Sequence, residues 1–192
     1  MKACSILDEY RQRQDREEVV AGVQSEGRWK RPIEGRIKVN TDAGSFTDGG
    51  GLGVVIRDHA GRFLLAAAKK IRGVPNPELN EALAAELGLQ LVIQHRLGVP
   101  ILELDCLTVV KSIREAETIH TELGTICQSI RRLLDSIPGG SIEHVSRKAN
   151  EAAHIMAHSE TRWNMAEVWF DRPPIFLVDQ LRLDDVVMPI NQ

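Results

Sequence analysis

From Arg36 the chain alternates, with Ile37, Val39 and Thr41 standing against Lys38, Asn40 and Asp42. That period of two predicts a strand. The glycine-rich DGGGLGVVIRD reads as a turn leading into a second strand, DHAG as a tight turn and RFLLAAAKKIRG as a third strand. Joined by short turns, these strands form an antiparallel meander. The period then changes. PNPELNEALAAELGLQLVIQHRLG has proline at its start, glycine near its end and apolar residues at helical spacing, which predicts a long helix. VPILELD is a short β-rich run of the kind a buried parallel strand shows. CLTVVKSIREAET and TELGTICQSIRRLLDSI read as two further helices, PGGSIEHVS as a final strand and RKANEAAHIMAHSE as a closing helix. The order βββαβααβα predicts an α/β fold: a mixed five-stranded sheet, built from the antiparallel three-strand meander plus two parallel strands, with helices on both faces.

The flanks follow different patterns. Residues 1–28 are polar and mixed in charge, with Ile6, Leu7, Tyr10, Val19, Val20 and Val23 loosely spaced as on a helix face. They read as a helical extension or linker. RWKRPIEG marks the entry to a domain expected to span 29–162. In the remaining tail, 163–192, the pair Pro173–Pro174 interrupts regular structure, and the segment is expected to pack back over the domain.

Composition narrows the classes. A chain of 192 residues, 43% hydrophobic and 27% charged, matches one soluble domain with extensions. No apolar run approaches the ~20 residues a bilayer span needs. The N-terminus has no apolar block with a small-residue cleavage site, so no signal peptide is expected, and an intracellular place, nucleus or cytoplasm, follows. Cys4, Cys106 and Cys127 are odd in number and form no CxxC pair, which suits reduced thiols. The net charge of −3 offers no global field for nucleic acid, so any such binding must come from a local patch.

In a sheet of this kind the carboxyl ends of adjacent central strands and the start of the first helix converge at one rim. Asp42 sits late in the first strand, Asp105 ends the fourth, and Glu81 lies near the start of the long helix. One acid at a strand end is usually a satisfied cap; three on converging elements point to chemistry. Glu78 and Glu86 are rivals on the same helix. At ~100° per residue, Glu81 shares a small-residue stripe with Ala84, Ala85 and Gly88 that lets the helix approach the sheet, whereas Glu86 lies ~140° away and reads as solvated. Glu78 is ~60° from Glu81, and its place in the first turn suits the helix N-terminus. His154 and His158, four apart, share a helix face and offer half of a metal site or none. A zinc hydrolase of the HExxH type is disfavoured, because Ile155 and Met156 occupy the inner positions where a glutamate is needed.

KVNTDAGS, NEALAAELGLQLV, LELD and HVSRKANEAAH, in this order, resemble a type 1 ribonuclease H domain. The resemblance is to the plant version found in retrotransposon-derived, reverse-transcriptase-associated proteins. RWKRPIEGRIK and GGGLGVVIRDHAGRFLLAA also fit that version, so the likeness covers about residues 28 to 160. It implies an enzyme that hydrolyses the RNA strand of an RNA–DNA hybrid with two Mg2+ ions held by four acidic side chains. Such ions, ~4 Å apart, activate water and neutralise the departing oxygen, and carboxylates suit these hard cations. By resemblance Asp42 bridges both ions, Glu81 and Asp105 hold the leaving-group side with Glu81 also near the RNA ribose, Asn40 precedes Asp42 as in this group and Asn150 opens the last helix, both asparagines being expected to meet substrate.

There are two departures. Glycine usually follows the first aspartate directly, but here the order is Ala43 then Gly44. The fourth acid falls on His154, as AH in place of AD. An imidazole removes one negative charge and favours Mn2+ or Zn2+ over Mg2+. Arg57, Arg62, Lys69, Lys70 and Arg72, with Asp58 against them, either contact hybrid phosphates or form a solvated hairpin face. The basic protrusion of the family is missing, because the stretch from Cys106 to Ile137 mixes both signs. Weak, salt-sensitive binding or help from a fused or separate reverse-transcriptase-type partner is therefore expected. Other readings are a catalytically inactive nucleic-acid-binding module and a protein-interaction module acting through residues 1–28.

Overall fold

The computed structural model describes residues 27–73, 76–115, 121–159 and 166–185. The helical pattern expected before residue 27 lies outside them. β1 (Arg36–Phe46), β2 (Gly49–Asp58) and β3 (Phe63–Arg72) form the antiparallel meander, with Asp42 opposite Gly53 in register. α1 (Pro77–His95) follows; Asn76 caps it by accepting from the Leu79 amide at 3.1 Å, and Pro77 sits in its first turn, where the missing N–H costs nothing. β4 (Val99–Leu104) pairs parallel to β1, α2 (Leu107–Arg114) and α3 (Glu122–Asp135) follow, and β5 (Ser141–His144) pairs parallel to β4. The closing helix is shorter than its pattern: Arg147–Ala149 is one 3-10 turn, and α4 covers Glu151–Ala157.

The sheet has six strands, not the expected five, in the order β5-β4-β1-β2-β3-β6. The sixth, β6 (Ala166–Phe170), comes from the tail and pairs antiparallel with β3. It covers the edge that β3 would otherwise expose, and its five residues are too few to announce a strand by alternation alone. Beyond Pro173–Pro174 the tail makes a 3-10 turn at Ile175–Leu177 and then α5 (Val178–Asp185). Leu177 is buried with Val55, Ala66, Ala68, Ala152 and Met156, so the tail packs back on the domain as the double proline suggested. Among the described residues no helix is long and apolar enough to cross a membrane.

Each face of the sheet has its own core. Val54 packs with Val39, Leu89 and Val92 toward α1, while its neighbour Val55 packs toward α4 and the tail. Gly88 seats α1 closely, since a Cβ there would stand 2.9 Å from Thr41 and Val39 side-chain carbons. The glycines of β2 do more than turn the chain, because Gly49, Gly50, Gly51 and Gly53 all lie within the strand. A Cβ on Gly51 would meet the Ala157 carbonyl at 1.9 Å, and one on Gly53 the Ala153 carbonyl at 2.3 Å. These bare positions let α4 rest against the backbone beside Asp42. Glu86, expected to be solvated, is half-buried and accepts from the Ser129 hydroxyl, which ties α1 to α3.

Asp58 organises the β2–β3 turn. Its carboxylate accepts from the Ala60 amide at 2.9 Å, the Arg62 amide at 2.8 Å and Arg62 Nε at 2.7 Å. Burial works against its charged form, but these donors and the Arg62 charge outweigh it, and the net shift holds its pKa below the usual 3.8. A depressed carboxylate contributes stability above its unfolded pKa and loses it as pH falls through the folded value. The wild type is therefore expected to lose part of its stability below about pH 4 along a steeper slope than Asp58→Asn, as thermal melts between pH 7 and 2.5 would show. Parallel slopes would remove Asp58 from this role.

Candidate metal centre

β1 carries Asp42 to the rim and α1 brings Glu81 in its second turn, both buried at 4% and 7% exposure, while Asp105 stands half-buried directly after β4. Their carboxylate oxygens lie within 4.8 Å of one another. Ionised carboxylates that close repel by roughly 3–4 kcal/mol per pair at an effective dielectric of ~20, a repulsion that a cation among them would relieve. Three hard oxygen donors fit a divalent ion of the Mg2+ or Mn2+ kind. Glu78 is not in this set. The Cys106 thiol beside this cluster is pushed up to about 12 by burial and then by the negative charge of Glu81, which keeps it protonated and inert at neutral pH.

A second group shares Asp42. Ligand atoms of Asp42, His154 and His158 also lie within 4.8 Å of one another. His154 Nδ1 is 2.9 Å from Asp42 Oδ2, and its Nε2 is 3.3 Å from Arg147 Nη2. An ionised carboxylate can only accept and a guanidinium can only donate, so the ring donates through Nδ1 and accepts at Nε2. His154 therefore stands against Asp42 where the resemblance expects a fourth carboxylate.

Residues 40–160, more than half of the chain, match the family model described as reverse transcriptase-like. The chain belongs to the reverse transcriptase-like family. Its fold is that of ribonuclease H. The structure of RNase H1 from the halophilic archaeon Halobacterium salinarum NRC-1 matches with a TM-score of 0.58 at 23% identity, covering 64% of this chain and 95% of that one. LC11-RNase H1 in complex with an RNA/DNA hybrid matches with a TM-score of 0.55 at 20% identity, covering 62% and 92%. The Prototype Foamy Virus protease–reverse transcriptase matches with a TM-score of 0.52 at 16% identity, over 72% of this chain but only 22% of that one. Among curated proteins, none matches.

Within this reverse transcriptase-like fold, several residues expected near substrate prove to be interior. Asn40 is buried and accepts at Oδ1 from Trp29 Nε1 (2.9 Å) and Arg57 Nη2 (3.3 Å), while its amide donates to Glu103 Oε2 (2.8 Å) and Asn150 Oδ1 (3.2 Å). Asn150 is equally buried and donates to the Thr41 carbonyl at 2.8 Å, pinning the start of α4 to β1. Arg57, 2% exposed, lies 3.5 Å from the Trp29 ring centroid and 2.5 Å from Asp184 of α5. All three are buried in one polar network under the rim. In that network Glu103 is paired with Lys38 at 2.5 Å, and burial pushes its carboxyl pKa up against the opposing pull of Lys38 and Asn40.

The basic set is divided in the same way. Arg57 is interior and Arg62 is tied to Asp58 at 2.6 Å, while half-buried Lys69 and Lys70 and exposed Arg72 occupy the other end of β3. Lys70 Nζ lies 5.3 Å from the Phe46 ring, which in turn meets His158 edge-on at 6.0 Å. The spacing of His154 and His158 marks a shared helix face, and the structure sets that face beside Asp42. The spacing does not show which partner the face meets, since that depends on how α4 seats on the glycines of β2.

Proposed function

We propose that this chain is a divalent-metal-dependent nuclease that hydrolyses the RNA strand of RNA–DNA hybrids. The observation that carries the reading is the convergence of Asp42, Glu81 and Asp105 from three elements to within 4.8 Å. The family match and the ribonuclease H fold support it, and LC11-RNase H1 has been captured with an RNA/DNA hybrid. When bound at these carboxylates, Mg2+ or Mn2+ supplies charge neutralisation for the scissile phosphate and an acidified water nucleophile. Asp42, common to both ligand groups, is the shared anchor; Glu81 and Asp105 hold the side of the leaving oxygen. His154 takes the fourth ligand position, its Nδ1 standing 2.9 Å from Asp42 Oδ2. Lys69, Lys70 and Arg72 meet backbone phosphates, which position the duplex without reading its sequence. With three cations for that task and a net charge of −3, binding is expected to be weak and strongly salt-dependent, and a reverse-transcriptase-type partner would add the missing affinity.

The test is cleavage of a labelled RNA–DNA hybrid by the full chain in Mg2+ and, separately, in Mn2+. Cleavage of the RNA strand alone is the expected result, faster in Mn2+, because one of the four ligand positions is an imidazole. No cleavage with either ion would overturn the enzyme reading. A second reading, an inactive hybrid-binding module, is favoured by one observation: His154 is engaged by both Asp42 and Arg147. Binding of the hybrid without cleavage would support it.

A further inference from the structure

The β1 sequence Asp42-Ala43-Gly44 places Asp42 and Gly44 on the same face of the strand, the face on which α4 rests. A Cβ on Gly44 would stand 3.1 Å from His158 Nε2 and 3.2 Å from its Cε1. The imidazole of His158 thus lies directly over the bare backbone at Gly44, with Nε2 toward β1. Its other nitrogen is already committed: Nδ1 is 2.9 Å from the His154 carbonyl. A carbonyl only accepts, so Nδ1 carries the proton, and the lone pair of the neutral ring is on Nε2. A backbone carbonyl fixing one ring nitrogen is the arrangement that presents the other to a metal. The His154 and His158 rings stand 4.1 Å apart between centroids, and both share ligand distance with Asp42.

We propose that Asp42, His154 and His158 form a two-imidazole, one-carboxylate metal site that takes a borderline first-row cation, Zn2+, Co2+ or Mn2+, in preference to Mg2+. This deepens the metal-dependent reading above and rests on it in using Asp42 and His154 as ligands. The donor chemistry sets the preference: imidazole nitrogen suits borderline ions, and affinity for such sites rises from Mn2+ through Co2+, whereas Mg2+ requires oxygen. The spacing is compatible. Bonds of ~2.1 Å put adjacent octahedral donors about 3 Å apart, close to the 2.9 Å that separates His154 Nδ1 from Asp42 Oδ2. For His154 to ligate through Nδ1, its proton moves to Nε2 with no net release, and the Arg147 guanidinium turns away from that nitrogen. His158 already holds its proton on Nδ1, so its tautomer stays the same. Gly44 in place of the expected Ala43 position for glycine is what leaves its ring room, so the shift of glycine by one residue and the second histidine belong to one device.

The experiment uses untagged, EDTA-treated full chain and follows Co2+ by its visible ligand-field absorption and by calorimetry, with Zn2+ and Mg2+ in parallel titrations. The expected result is a nitrogen-rich Co2+ spectrum and binding of Co2+ and Zn2+ at least ~100-fold tighter than Mg2+. His158→Ala, an exposed position whose loss leaves the melting curve unchanged, should weaken Co2+ binding at least ~10-fold and shift the spectrum, while His154→Asp should narrow the preference over Mg2+ by a similar factor. If His158→Ala leaves Co2+ affinity and spectrum as in the wild type, the proposal fails. Failure here with hybrid cleavage intact would leave the nuclease reading standing; the predicted Co2+ signature without any cleavage would do the reverse.

Discussion

Asp42→Asn should reduce hybrid cleavage by about a thousandfold or more, equivalent to ~4 kcal/mol of transition-state stabilisation at ~1.36 kcal/mol per decade. Asp42 is the one side chain common to both ligand groups, so its loss removes a charge from every ion the rim could hold. Lewis-acid stabilisation of a transferring phosphoryl group is worth several kcal/mol, which sets the scale. Asparagine keeps the shape, and its side-chain oxygen can still accept from His154 Nδ1, so the fold should survive. Single-turnover cleavage in Mn2+, with circular dichroism as the folding control, measures the effect. Activity within tenfold of the wild type would dismiss Asp42 as the central ligand.

Arg57→Ala is expected to be the most destabilising change away from the rim, costing about 3–5 kcal/mol, the range found when one member of a buried ion pair is removed. Arg57 is 2% exposed and Asp184 beneath it 7%, so truncation leaves an acid buried without its partner and opens a void under Trp29. Arg57 also joins distant parts of the chain: Trp29 precedes the sheet, Arg57 lies near the end of β2 and Asp184 belongs to α5. Losing the arginine should therefore loosen both ends of the domain together. Urea denaturation followed by Trp fluorescence measures it, and Asp184→Asn should cost less, because the neutral amide needs no counter-charge. A loss under 1 kcal/mol for Arg57→Ala would show that the contact does not support the fold.

These two effects bear differently on the sequence. The Asp42 effect is visible in the order of residues, since the acid sits late in an alternating strand and its companions lie on the next converging elements. The Arg57 effect is not. An arginine in a strand ending RD reads as a solvent-facing cation, and only the tail folding across that face makes it interior. The burial of Asn40 and Asn150 is hidden from the sequence for the same reason: polar residues on the sheet face beneath α4 become a buried network once Trp29, Glu103 and Arg57 close around them.

By itself the sequence determined the meander, the long capped helix, the parallel strand and the acid at the end of each converging element. These depend on local periodicity, on caps and on turn residues, all of which act within a few neighbours. Angular position on a helix follows from spacing alone, which separates Glu81 from Glu86 but not from Glu78. Only the tertiary structure decided the sixth strand, whose five residues gain their partners from β3 about a hundred positions earlier. It also decided which polar side chains are interior, and that His158 stands over Gly44 beside Asp42. Each of these rests on contacts between segments far apart in the chain, and the alternation or spacing of one segment carries no information about which face another segment will cover.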